Sequence, residues 1–183
     1  MEHEQDLQYD PEDAGQAWAG EMDVLEALEE TDSPEAEKQT RQIILVTLDK
    51  GCYGIEISLV QEVLKVPKIT WLPCCPDYIA GVISLRGNIQ SVVNLKAFFQ
   101  LAMDHVTEQS RILLVESGEL IAGLLVDEML DILDVKESSI RPFSGQAAHI
   151  ADQYVEGEFY WNDQIVTILH VPEIVEASVV DQQ

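Results

Sequence analysis

"GVISLRGNIQSVVNL", residues 81–95, alternates apolar side chains with small or neutral polar ones on both sides of a single charge, Arg86. Alternation with period two marks a strand that buries one face, and two such runs around a short polar break make a hairpin. Sliding the sequence by 76 positions lays this stretch on "GEFYWNDQIVTILHV", residues 157–171. Tyr78, Gly81, Ile89, Val92, Leu95 and Phe98 then fall on Tyr154, Gly157, Ile165, Ile168, Val171 and Ile174, each matched in type. A second offset, 69, lays "YGIEISLVQEVL" on "AGLLVDEMLDIL", with Gly54 on Gly123 and Leu64 on Leu133. Matches in a fixed order indicate a duplicated unit, so two similar β-subdomains are expected.

The duplication places Arg86 at a hairpin tip, because residue 86 superposes on Asn162 in the turn "WNDQ". Gly87 supplies the positive φ such tips often need, and the second copy reverses with Asn162 and Asp163, both tolerant of left-handed backbone. The turn itself does not require arginine. A guanidinium carries five donors in a planar fork, so Arg86 either fastens its own subdomains, is presented to a partner, or stands as a solvated surface charge.

Beyond the hairpins, "IILVTL", "YGIEI", "RILLVES", "LIAGLLV" and "QIVTIL" read as further short strands separated by turn signals, an all-β barrel or sandwich. Short helices are expected between them. Ser58 followed by Gln61 fits a capping box opening "LVQEVL", and Asn94 can cap "LKAFF".

The N-terminal segment has a different character. Residues 1–40 hold 14 of the 34 acidic groups and one base, Lys38. Such a segment cannot bury enough apolar surface to offset its ordering entropy, so a disordered acidic tail precedes a domain over residues 41–178. Within the tail, Trp18, Met22, Leu25 and Leu28 recur at helical spacing, giving a short amphipathic helix from about residue 17 to 30 that either docks weakly or binds a partner.

Composition excludes several classes. With 10 basic residues against 34 acidic ones, a nucleic acid would be repelled. No apolar run approaches the roughly 18 residues of a membrane span, so no direct membrane insertion is expected. Cys52, Cys74 and Cys75 form no paired framework and read as free thiols in a reducing compartment. His3, His105, His149 and His170 are too scattered for a zinc site, and His170, equivalent to Asn94, reads as a capping or packing residue. No phosphate loop or dinucleotide turn appears, and "VDEMLDILD" reads as one wet face of a β-element. No cofactor, metal or catalytic constellation is expected.

The stretch "YIAGVISLRGNIQSVVNL" resembles the signature of the CheW family of bacterial chemotaxis adaptors, which runs Gly-Val, two residues, Leu-Arg-Gly, then two apolar strand positions and Asp-Leu. "YGIEISLVQEVL" is similar to that family's first strand and helix, "AGLLVDEMLDIL" to its central strand pair, and "YVEGEFYWNDQIVTILHVPEIV" to its last hairpin and helix. The likeness extends over about residues 43–175. It implies a mainly β fold of two SH3-like five-stranded barrels around a shared apolar core, and a non-catalytic adaptor bridging the cytoplasmic tip of a chemoreceptor to the regulatory domain of the histidine kinase CheA. The receptor-side positions it implies are Ile57, Val60, Glu62, Gly81, Arg86, Ile89 and Met129. A cytoplasmic protein recruited to membrane-associated arrays follows. Ser84, Ser91 and Asn94 depart from the family's usual asparagine, proline and aspartate. The loss of charge at Asn94 removes one candidate partner for Arg86 and leaves Glu62 and Asp127. A pathway for pilus-based surface motility, or a stand-alone SH3-like peptide-binding module outside chemotaxis, are the alternatives.

Overall fold

The computed structural model describes residues 39–145 and 149–180. The expected acidic tail up to residue 38, with the amphipathic helix expected within it, lies outside those residues, and Thr40 already belongs to the first strand. In chain order the described part contains β1 (Thr40–Leu48), β2 (Gly51–Glu56), β3 (Val60–Lys65), β4 (Ile79–Leu85), β5 (Asn88–Asn94), α1 (Leu95–Phe98), β6 (Arg111–Ser117), β7 (Leu120–Val126), β8 (Glu128–Lys136), β9 (Val155–Trp161), β10 (Gln164–Leu169) and α2 (Val171–Val180).

These strands form two five-stranded sheets, β8-β1-β2-β10-β9 and β3-β6-β7-β5-β4. Under the two offsets read from the sequence, β1 to β5 correspond to β6 to β10, and the two sheet orders become the same order. Neither sheet is one contiguous copy. Each takes two strands from one half of the chain and three from the other, with parallel pairing of β10 to β2 and of β5 to β7 at the exchange.

Why the exchange is stable can be read along β1. Ile43 and Leu45 point into the interior of the first sheet with Val166 and Ile168, whereas Ile44, Val46 and Leu48 point the other way. There they meet Leu113 and Val115 of β6 and Leu124 of β7, in a core shared by both sheets. A strand buried on both faces has no polar side to alternate with, which is why "IILVTL" is almost wholly apolar. β6 behaves alike, sending Ile112 into the interior of the second sheet. Each fully buried Leu or Ile contributes about 1.5–3 kcal/mol, so breaking the exchange would expose both strands' second faces at once.

Two glycine pairs set close approaches at matching places. A Cβ at Gly54 would lie 2.7 Å from Ile43 Cγ2, and one at Gly123 would lie 2.7 Å from Ile112 Cγ2. At Gly81, with φ +135°, a Cβ would come within 2.2 Å of the Thr70 carbonyl oxygen; at Gly157 the corresponding contact is Arg141 O at 2.8 Å. The backbones meet there because Thr70 bridges Val82 as Arg141 bridges Glu158.

The helix ends repeat the pattern. Asn94 Oδ1 accepts from Lys96 N at 3.0 Å and Ala97 N at 3.3 Å, capping α1, while His170 Nδ1 accepts from Glu173 N at 3.3 Å at the start of α2. Tyr78 and Tyr154 both pack edge-on against Phe98, at 5.2 and 5.0 Å between ring centroids.

One expected helix is absent. Residues 57–59 form a single 3-10 turn, and Val60–Lys65 is a strand with alternating half-buried and exposed positions. Ser58 does not cap; its hydroxyl donates to Glu56 Oε1 at 2.8 Å, and the Gln61 amide reaches across to Glu116. Antiparallel pairing to β6 satisfies the backbone instead, and tertiary contact overrides the local capping signal.

Candidate docking site at the first hairpin

The β4–β5 tip places two consecutive residues in left-handed backbone, Arg86 at φ +51° and Gly87 at φ +88°. The β9–β10 tip has the same shape with Asn162 at +47° and Asp163 at +61°. Asparagine, aspartate and glycine adopt this conformation readily, whereas an arginine there costs about 1 kcal/mol. Turn geometry therefore gives no reason for the guanidinium, and its position calls for a reason in the side chain.

That side chain is 78% exposed, with Nη2 lying 3.0 Å from Oε2 and 3.2 Å from Oε1 of Glu62 on β3. β3 and β4 are the two edges of the second sheet, so the ion pair spans its open side. It lies within one subdomain and does not fasten the two together. The matching positions in the second copy, Asp131 and Asn162, carry no cation.

The expected docking residues fall into three groups. Ile57, Val60 and Met129 are partly buried against the shared core. Val60 pairs with Val115 and Met129 with Val46, equivalent registers on the two sheets. Glu62 and Arg86 form the ion pair. Ile89, next to the tip, is 74% exposed because its cross-strand neighbour is the small Ser84. In the second hairpin the corresponding Ile165 faces Tyr160 and is half-buried. Gly81 is buried, where its missing side chain allows the close backbone approach at Thr70.

Asp127 is not available to Arg86. Its carboxylate binds the ammonium of buried Lys96 at 2.6 Å and accepts from Asp49 N at 2.7 Å, tying α1 and the β1–β2 turn to the point where the chain crosses from β7 to β8. Asp104 is the second anion on Lys96. A buried ammonium requires such pairing, since an uncompensated charge in the interior is very costly.

Sequence reasoning also missed a clamp on the other sheet. Arg41 Nη2 contacts Glu56 at 2.6 Å and Glu156 at 2.5 Å, and its Nε lies 3.8 Å from Glu137. Burial alone would lower the Arg41 pKa; hydrogen bonds and attraction from Glu56 and Glu156 outweigh it and hold the guanidinium charged. The hydrogen bond from Arg41 holds the Glu56 carboxyl below its usual range. Nothing in the spacing of 41, 56, 137 and 156 signals this cluster, because the chain exchange assembles it.

Among the described residues, no three His, Cys, Asp or Glu side chains converge as a metal site, and no helix is long and apolar enough to cross a membrane.

Two sheets with a shared core, and a cationic tip on one hairpin alone, define a paired-barrel binding protein with one specialised copy. The family model for the CheW-like domain matches residues 42–179. The chemotaxis protein CheW of Klebsiella aerogenes is 26% identical over 138 residues, covering 75% of this chain and 83% of that protein. CheW of Helicobacter pylori is 31% identical, covering 68% and 74%. The crystal structure of the scaffolding protein TtCheW from Thermoanaerobacter tengcongensis superposes with a TM-score of 0.68 at 33% identity, covering 73% of this chain and 86% of that one. The chain belongs to the CheW family, whose members are chemotaxis adaptors.

Proposed function

We infer that the chain is a non-catalytic adaptor coupling chemoreceptors to the histidine kinase CheA, docking a receptor's cytoplasmic tip on one surface and the kinase's regulatory domain on another. It works in the cytoplasm and is recruited to membrane-associated receptor arrays. The observation that carries this reading is the asymmetry of the hairpins: a guanidinium held in left-handed backbone beside an uncovered isoleucine, against a plain turn with a tyrosine lid.

Ile57, Val60 and Met129 offer apolar surface along the edge of the shared core, suited to one face of a helical hairpin. Arg86 supplies a forked donor for a carboxylate or a helix-end carbonyl, setting register more than affinity. Glu62 restrains the guanidinium beforehand and so lowers the entropy lost on docking.

Sedimentation of the purified chain with receptor fragments and with the CheA regulatory domain tests the reading. Binding to both is expected, Arg86→Ala weakening the receptor arm alone. A folded protein that binds neither would remove the assignment.

A further inference from the structure

β3 is an edge strand whose last residue, Lys65, lies directly opposite Arg111 of β6. Cross-strand neighbours sit about 5 Å apart, and like charges in that position are destabilising. The chain has an excess of carboxylates, yet among the described residues they pair with Arg41, Arg86 and Lys96, and none lies within ion-pair distance of Lys65 or Arg111. Arg111 is held in place by one nitrogen, Nη1, which donates to Glu108 O at 2.7 Å and Ser110 O at 2.8 Å. Its Nε and Nη2 make no bond within the described residues. The two cations line a groove of about 690 Å³ with Val66, Val106, Thr107 and Glu108.

A carboxylate between Lys65 and Arg111 would take charge-assisted bonds from both and relieve their repulsion. The occupant is an extended peptide rather than a small anion, for three reasons. Val106 is 54% exposed and, with Val66, offers apolar surface a free anion would leave wet. Glu108 opposes a doubly charged phosphate more than a single carboxylate. β3 ends at Lys65, beyond the Arg86–Glu62 ion pair that spans the open side of its sheet, so an extended segment can lie across the groove there with alternate side chains turned into it. We propose that the Lys65–Arg111 groove docks an extended acidic segment of a partner protein, its carboxylates alternating with apolar residues. This surface is separate from the Arg86 tip and does not depend on the receptor assignment.

The test is a titration of isotope-labelled full-length chain, followed by amide shifts, with a short peptide alternating glutamate and valine. Shifts confined to residues 65–66 and 106–111 are expected, with binding that weakens as salt is raised. Lys65→Glu, at an exposed position with no side-chain contact to lose, should weaken binding about tenfold or more. The proposal is overturned if Lys65→Glu binds as well as the parent, if a glutamine-for-glutamate peptide binds equally, or if shifts fall elsewhere. Inorganic phosphate alone reproducing the same shifts would make this a small-anion site and would also overturn it.

Discussion

The two hairpins have the same backbone and opposite surfaces. In β9–β10 the tip is Asn162-Asp163, Tyr160 lies across from Ile165, and Arg141 packs over the Tyr160 ring at 5.5 Å. In β4–β5 the tip is Arg86-Gly87, Ser84 lies across from Ile89, and the isoleucine is bare. What the copies share, a glycine against a crossing backbone and a capped helix after the second strand, maintains the fold. What differs is solvent-facing, and its simplest physical use is recognition. The barrel ends differ in the same way: the Arg41 clamp uses Glu56 and Glu156, where the other copy has Leu125 and Ala80.

Substituting the shared glycines should have the largest effect. Gly81→Ala should lower unfolding free energy by about 3 kcal/mol or more, since it meets a carbonyl oxygen and adopts positive φ. Gly157→Ala, which meets the equivalent carbonyl at a longer distance, should cost about 1–3 kcal/mol. Urea denaturation of both checks the ranking, and equal losses would show that the positive φ and tighter approach at Gly81 add nothing to the contact the copies share.

Transplanting the second hairpin's cover comes next. Ser84→Tyr should shield Ile89 and weaken receptor-fragment binding about tenfold, roughly the loss of part of an isoleucine's burial, while the melting temperature hardly moves. Unchanged binding would show that Ile89 is not a contact. Arg86→Asn, the second copy's own turn residue, should change stability by under about 1 kcal/mol because the ion pair is exposed, yet reduce receptor coupling. A large stability loss with normal coupling would assign Arg86 to holding β3 against β4.

The smallest effect is in acid. Because the folded-state pKa of Glu56 is depressed, the stability its charge contributes is present above its ordinary value of 4.5 and is lost as pH falls through the folded-state pKa. Glu56→Gln should therefore flatten the decline in melting temperature below that pH.

Much of this was legible in the chain itself. Alternation, turn chemistry and self-similarity are local or periodic, so strand positions, both hairpin tips, the Asn94 cap and the duplication follow from residues near one another in sequence. The supposed helix after Ser58 failed because its deciding partner, β6, begins at Arg111, 53 positions after Ser58, and a local capping pattern carries no information about it. The exchange of strands between halves, the pairing of Asp127 with Lys96 and the Arg41 clamp were likewise invisible. They arise only when two apolar strand faces bury against each other, and that non-local packing decides which distant charges are left within reach.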